Sequence, residues 1–144
     1  MRHIAPAELP VASADGVVFH LMRRVLQQHA ARWTAVLPEL TKSQWAVLQA
    51  VAAESDNDQN LIGERTAIDK ATLVPLVSRL VDRGLLVREP DEKDRRRRHL
   101  SLTAEGRAVL EQATPLVARV DAEALGSLGT EQRVKLRDLL LRLA

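Results

Sequence analysis

Cysteine and tyrosine are absent from the 144-residue chain, and its aromatic residues are limited to Phe19, Trp33 and Trp45. The lack of cysteine excludes a disulfide scaffold, a cysteine-based zinc site and a thiol redox sensor. The core must therefore be built from leucine, valine and alanine. This composition favours helices, because alanine and leucine are strong helix formers and aromatic residues favour strands.

Long apolar runs are absent as well. A membrane-spanning helix needs roughly 20 consecutive apolar residues, and no stretch of the sequence approaches that length. The first residues also lack the apolar segment of a signal peptide. We therefore expect a protein of the cytoplasm that does not bind membranes.

Motifs for catalysis and metal binding are missing too. The histidines His3, His20, His29 and His99 are not spaced as a set of metal ligands. There is no glycine-rich phosphate loop and no clear nucleophile with a neighbouring base. We expect no enzymatic activity, no bound metal and no cofactor.

Charge is nearly balanced in total, at +2, but it is unevenly distributed. Residues 89–94 are mostly acidic, and Arg95, Arg96, Arg97 and Arg98 then follow without interruption. A block of one sign projects a local field whatever the total charge is. Taken alone, such a run can equally be a solvated charged loop.

Hydrophobic periodicity predicts a mainly helical chain with one β-hairpin. The predicted helices cover residues 15–36, 43–53, 59–67, 70–83, 104–125 and 131–143, and the predicted strands cover 85–88 and 98–102. The first dozen residues, with two prolines, are expected to form an extended arm, and residues 55–60 a polar loop. The predicted N-terminal caps are Thr41, Asp69, Thr103 and Thr130.

A tight turn between two helices, followed at once by a charged hairpin, predicts a winged helix-turn-helix. A helix can read base edges in the major groove while the hairpin reaches the adjacent minor groove, where negative potential is concentrated. In the predicted second helix of this motif, Leu73, Leu76, Val77 and Leu80 form the inward stripe. The candidate DNA-binding residues are Gln59, Lys70, Ala71, Thr72, Val74, Ser78, Arg79, Asp94, Arg95, Arg96, Arg97 and Arg98.

Five short segments carry a family resemblance. They are DKATL at 69–73, SRL at 78–80, RGL at 83–85, DRR at 94–96 and LSLTAEG at 100–106. These segments resemble those of the multiple-antibiotic-resistance regulator (MarR) family over roughly residues 59–110.

The resemblance implies a homodimeric transcriptional repressor that binds double-stranded DNA at a palindromic operator. It implies that Asp94 braces the hairpin by pairing with an arginine, and that Arg96, or alternatively Arg95, enters the minor groove. The recognition helix would be residues 70–83. Pro75 stands where the family often has arginine, and with Val74 it makes an apolar reading face suited to thymine methyl groups.

The terminal helices give a separate reason to expect a dimer. They carry more apolar surface than one small winged domain can cover, so they must bury it against a partner or fold back on their own lobe. We interpret the chain as one domain, 1–144. Its DNA-binding lobe would be at about 41–103 and its dimerisation helices at about 11–40 and 104–144.

The first helix carries groups suited to an aromatic acid. Arginine can bind a carboxylate bidentately, and an aromatic wall can bind a ring. The candidate ligand-binding residues are His20, Arg23, His29 and Trp33. This pattern also resembles family members that govern aromatic-acid catabolism, which implies a small-molecule effector between the dimerisation helices and the lobe. The hypothesis is an aromatic carboxylate or its thioester, with Arg23 meeting the acid and His29 a ring hydroxyl.

Other interpretations of the same residues stay open. Trp33 can be a core residue, His29 an interface group and Arg23 part of an intersubunit salt bridge. At the level of function, the alternatives are a winged-helix module that binds an acidic protein, and a DNA-binding regulator without a small-molecule effector.

Overall fold

The computed structural model describes residues 14–144, and burial from residue 16 onwards. The predicted N-terminal arm lies outside the described residues. The described chain is mainly helical, with one two-stranded antiparallel hairpin, as predicted. Its elements are α1 (Ala14–Val36), α2 (Lys42–Ala53), α3 (Gln59–Thr66), α4 (Lys70–Asp82), β1 (Leu86–Pro90), β2 (Arg98–Leu102), α5 (Ala104–Ala124) and α6 (Thr130–Leu143).

Contacts divide this part of the chain into two compact units. Residues 36–119, which we call the lobe, comprise α2, α3, α4, the hairpin and most of α5. The terminal unit comprises α1 up to Ala35 and the residues from Val120 onwards. The sequence analysis placed the end of the DNA-binding lobe at about residue 103, which left α5 outside the lobe. In the structure Ala113 of α5 is part of the lobe core, which explains the later boundary.

The lobe is held together by one apolar core. Six of its side chains are 0% exposed: Val47, Leu48, Ile62, Val77, Leu80 and Leu100. They come from α2, α3, α4 and β2, so burying them fixes these four elements against each other. Each such side chain contributes about 1.5–3 kcal/mol relative to exposure. The inward stripe predicted for α4 is confirmed, since all four of its members are buried.

The turn between α3 and α4 depends on two small residues. Ala67 ends α3 in a left-handed conformation with φ 55°, and its N–H bonds back to carbonyl groups of the last turn. A Cβ placed at Gly63 would lie 3.2 Å from Leu73 Cδ2, so glycine there permits close packing of α3 on α4. The sequence prediction ended α3 at Ala67 and did not anticipate its left-handed backbone.

The hairpin pairs Leu86 with Leu102 at its base and Pro90 with Arg98 at its outer end. It also takes up a segment that the sequence prediction treated as loop. Asp58 forms an isolated antiparallel bridge with His99, and the N–H of Leu100 donates to the carbonyl of Asn57 at 2.9 Å. Residues 54–58 form a polar connection outside the helices and strands, as predicted, but the burial of Asn57 and Asp58 was not anticipated.

Two element ends differ from the sequence prediction for identifiable reasons. Strand β1 runs on to Pro90 because its pairing with β2 continues to Arg98, and proline is tolerated on an edge strand. The N-terminal cap of α6 is Gly129 rather than Thr130. The side chain of Gln132 accepts the N–H of Gly129 at 2.9 Å and thereby satisfies the cap position. The caps predicted at Thr41, Asp69 and Thr103 are confirmed by their side-chain bonds.

The terminal unit leaves much apolar surface uncovered. Helix α6 has no buried residue at all. Phe19 and Leu26 of α1 are 66% and 61% exposed, and Leu141 of α6 is 67% exposed. No helix in the described part of the chain is long and apolar enough to cross a membrane.

Candidate DNA-contacting surface

Helix α4 presents an exposed outer face on which Val74 and Pro75 form an apolar part, as predicted, and it begins at a side-chain cap. The Asp69 carboxylate accepts the backbone N–H of Thr72 at 2.9 Å and its hydroxyl at 2.8 Å. These hydrogen bonds hold the pKa of Asp69 below its ordinary value. The predicted contact residues of α4 are all exposed except Ser78, which is half-buried; they are Lys70, Ala71, Thr72, Val74, Ser78 and Arg79.

The loop at the end of the hairpin, residues 91–97, is organised by its acidic residues. Asp91 Oδ1 accepts the backbone N–H groups of Lys93 at 2.8 Å and Asp94 at 3.2 Å. These two bonds are the main reason that the pKa of Asp91 lies below its ordinary value. Backbone bonds close the loop, from Asp91 N–H to the Arg97 carbonyl and from Arg97 N–H to the Asp94 carbonyl, both at 3.0 Å. We call β1, this loop and β2 the wing.

Asp94 braces the wing, but by a different contact from the expected one. The resemblance implied pairing with an arginine side chain. The structure instead has Asp94 Oδ1 accepting the backbone N–H of Arg96 at 3.1 Å. A short acidic side chain reaches the backbone two residues on, which is the usual geometry of an Asx turn.

The arginines of the wing do not share one environment. Arg95, Arg96, Arg97 and Arg98 are all exposed. However, the Nε of Arg97 lies 3.4 Å from Oδ1 of Asp58, whose side chain is 6% exposed. The Asp58 carboxylate raises the pKa of Arg97 above its ordinary value. At 3.4 Å this is an ion pair rather than a short hydrogen bond.

Arg88 is a surface residue that the sequence analysis missed. It lies on β1 and is exposed, and its Nη1 donates to the Ser78 hydroxyl of α4 at 3.3 Å. This contact joins the wing to the middle of the candidate recognition helix. The signal for it was weak, since an arginine on a short strand can face either side.

Gln59 opens α3 and is half-buried. Its Oε1 is shielded from solvent and has no hydrogen-bond partner among the described residues. The residue therefore lies at the edge of the candidate surface, next to the turn that leads into α4.

The predicted effector-binding residues lie in the terminal unit, on α1. Arg23 is exposed, His20 and His29 are half-buried, and Trp33 is buried. The rings of His29 and Trp33 are 6.1 Å apart between centroids and inclined at 46°. Nε2 of His29 lies 2.6 Å from Oδ1 of Asp121 on α5, while its Nδ1 is buried without a hydrogen-bond partner among the described residues. Asp121 was not anticipated, because its contact with α1 is formed by tertiary packing.

Comparison with known proteins identifies the family. The MarR family model matches residues 39–97. The transcriptional regulator HosA of Escherichia coli is 45% identical over 115 residues, which cover 80% of this chain and 85% of HosA. The chain belongs to the MarR family. It is a DNA-binding transcriptional regulator of that family and not an enzyme.

Solved structures of MarR-family proteins match the mainly helical fold with its two-stranded hairpin. The PcaV transcriptional regulator from Streptomyces coelicolor, in complex with its natural ligand, is 35% identical with a TM-score of 0.84. The match covers 99% of this chain and 96% of PcaV. Bordetella bronchiseptica BpsR, whose DNA binding is regulated by 6-hydroxynicotinic acid, is 33% identical with a TM-score of 0.82. That match covers 88% of this chain and 98% of BpsR.

Proposed function

We propose that this MarR-family protein is a repressor that binds a palindromic operator as a homodimer and is released by a small aromatic acid or its thioester. The observation that carries the DNA-binding part is the pairing of an exposed, capped helix with an arginine-bearing wing in one compact lobe. In this proposal α4 reads the major groove, and Arg96, or Arg95, enters the adjacent minor groove.

The apolar surface of the terminal unit supports the homodimer. A helix without one buried residue gains little stability from packing on its own chain, and α6 carries leucines that are 36% to 75% exposed. Burial against a second copy would remove this surface from water, and two-fold pairing is the commonest solution among soluble oligomers. Two lobes related by a two-fold axis would bind two half-sites, which is the reason to expect a palindromic operator.

The effector part of the proposal is supported by α1 and by the relatives. Arg23 is exposed and can pair with a carboxylate. In neutral His29 the Asp121 carboxylate accepts from Nε2, which leaves Nδ1 as an acceptor. A ring hydroxyl that donates to Nδ1 would satisfy this buried atom. BpsR responds to 6-hydroxynicotinic acid, and PcaV has been seen with its natural ligand.

Selection of bound DNA from random duplexes tests the DNA-binding part. We expect a symmetric motif with half-sites about one helical turn apart. Arg96→Ala should weaken binding to that motif about ten-fold or more, whereas Arg107→Ala on exposed α5 surface should have little effect. An unselective or asymmetric pool would contradict the proposal and leave the winged-helix protein-binding module as the alternative.

A thermal-shift screen of aromatic acids tests the effector. An acid that raises the melting temperature should also release the selected duplex, and Arg23→Ala should abolish both effects. Arg137→Ala, on exposed α6, is the matched control. If no acid shifts the melting temperature, or if Arg23→Ala leaves the shift intact, a regulator without this effector is the better description.

A further inference from the structure

The consecutive arginines of the wing differ in what holds them. Within the described residues, the guanidinium groups of Arg95, Arg96 and Arg98 form no ion pair or hydrogen bond, whereas that of Arg97 is paired with Asp58. The sequence alone gave all of them a role in contacting DNA. Their different contacts in the structure indicate that Arg97 has a different role from the other three arginines.

Asp58 belongs to the body of the lobe rather than to the wing loop. Its side chain is 6% exposed, and its backbone forms the antiparallel bridge to His99. The neighbouring Asn57 carbonyl accepts the N–H of Leu100, whose side chain is part of the core. The position of the Asp58 carboxylate is therefore fixed by its backbone contacts, and a flexible side chain that pairs with it is held in place.

Arg97 belongs to the wing loop. Its N–H bonds to the Asp94 carbonyl, and its own carbonyl accepts the N–H of Asp91, so its backbone closes the loop that holds Arg95 and Arg96. The side chain of the same residue reaches Asp58. One residue thus joins the wing loop to the segment of the lobe that precedes α3.

The charges around Arg97 make it a poor phosphate ligand. Besides Asp58, the carboxylates of Asp56 and Asp91 also act electrostatically on its guanidinium. If the guanidinium turned outward to a phosphate, it would leave the buried Asp58 carboxylate without its partner, which is strongly unfavourable. No such cost applies to Arg95, Arg96 and Arg98, whose guanidinium groups have no partner in the part of the chain that the structure describes.

We propose that Arg97 does not contact DNA but is a positioning residue, which through its ion pair with Asp58 sets the orientation of the wing and so places Arg96 at the minor groove. This inference rests on the proposed DNA-binding mode. It gives Asp58, which no sequence motif singled out, the same role in orienting the wing.

The test compares Arg97→Gln, Asp58→Asn and the double variant, with Arg95→Gln as the matched control for loss of one wing charge. Affinity for the selected operator is measured by fluorescence anisotropy over a range of salt concentrations. The logarithm of the binding constant falls as the logarithm of the salt concentration rises. Arg95→Gln should make this slope less steep by about 0.9, the value for one lost phosphate contact. Arg97→Gln should weaken binding in the wild-type background but add no further loss of affinity or slope to Arg96→Gln, because Arg97 acts only through Arg96.

Asp58→Asn gives the sharpest contrast, because the two interpretations predict opposite signs. Removing a negative charge beside the DNA should tighten binding if Arg97 contacts a phosphate. It should instead weaken binding several-fold if the ion pair positions the wing. The double variant should then bind no worse than the weaker single variant, and Arg97→Lys should restore part of the affinity.

A measurement without DNA separates failure of this inference from failure of the proposed function. Amide hydrogen exchange of residues 91–97 should be faster in Arg97→Gln than in wild type, and unchanged in Arg95→Gln. If the wild-type protein selects no duplex, the proposed DNA-binding mode fails and the inference falls with it. If the wild type binds, but Arg97→Gln lowers the salt slope further in the Arg96→Gln background or leaves exchange unchanged, the positioning role alone is wrong. Should Asp58→Asn fail to fold, the Arg97 variants carry the same test.

Discussion

The carboxylate of Asp69 holds both the backbone N–H and the hydroxyl of Thr72, at 2.9 and 2.8 Å. This pair fixes the first turn of α4 and commits the Thr72 hydroxyl hydrogen to the helix cap. A base or phosphate that approaches Thr72 would therefore meet its methyl group and an oxygen that can accept, but not a free donor.

Loss of the Asp69 cap should destabilise the lobe. Asp69→Ala removes the acceptor for one helix N–H and a negative charge at the positive end of the helix dipole, so the melting temperature should fall. Asp82→Ala is the matched control, since Asp82 lies at the other end of α4, where a negative charge is unfavourable. Thermal unfolding followed by circular dichroism measures both. An equal fall in the two variants would show that the cap is not the cause.

The same carboxylate should give a stability that depends on pH. The pKa of Asp69 and that of Asp91 are lowered in the folded protein, so their bonds contribute stability above the ordinary carboxyl pKa of 3.8. That contribution is lost as the pH falls through the lowered values. The melting temperatures of wild type and Asp69→Asn should therefore differ at pH 7 and converge in acid. A difference that persists unchanged well below pH 3.8 would contradict this account.

Gly106 should not tolerate a side chain. A Cβ at this position would lie 2.0 Å from the carbonyl oxygen of Leu85, a backbone atom that cannot move without shifting β1. We expect Gly106→Ala to lower the free energy of unfolding by about 1–3 kcal/mol, the usual cost of overpacking. Arg107→Ala, one position along on exposed surface, should change it by less than about 0.5 kcal/mol. Urea denaturation of both variants checks the difference, and equal stabilities would refute the clash.

The apolar face of α6 should control oligomeric state. Leu139 is 46% exposed in the single chain, and Leu139→Glu would place a charge in the proposed dimer interface. We expect light scattering to show a shift towards monomer and operator binding to weaken with it. Lys135→Glu places the same carboxylate at an exposed polar position of α6, with an even larger change in net charge, and should leave the mass unchanged. If wild type is itself monomeric, the proposed homodimer is wrong.

Much of the DNA-contacting surface could be predicted because its signals are local. The stripe from Leu73 to Leu80 follows from the helical period, and the caps at Thr41, Asp69 and Thr103 follow from side chains that bond to backbone within three residues. The run of arginines at 95–98 is visible in the sequence itself. Its position on a hairpin follows from the alternation of Leu100 and Leu102 with polar residues.

The contacts that distinguish one residue from its neighbours were not local. Asp58 and Arg97, His29 and Asp121, and Arg88 and Ser78 are each brought together by packing of separate elements. Neither hydrophobic periodicity nor a capping rule distinguishes the contacts of Arg97 from those of Arg96, because both have the same side chain in the same charged run. The sequence by itself determined the helices, the hairpin and the family. Only the tertiary structure decided which arginine is anchored and which are free to bind, because a buried carboxylate selects its partner by position in space and not along the chain.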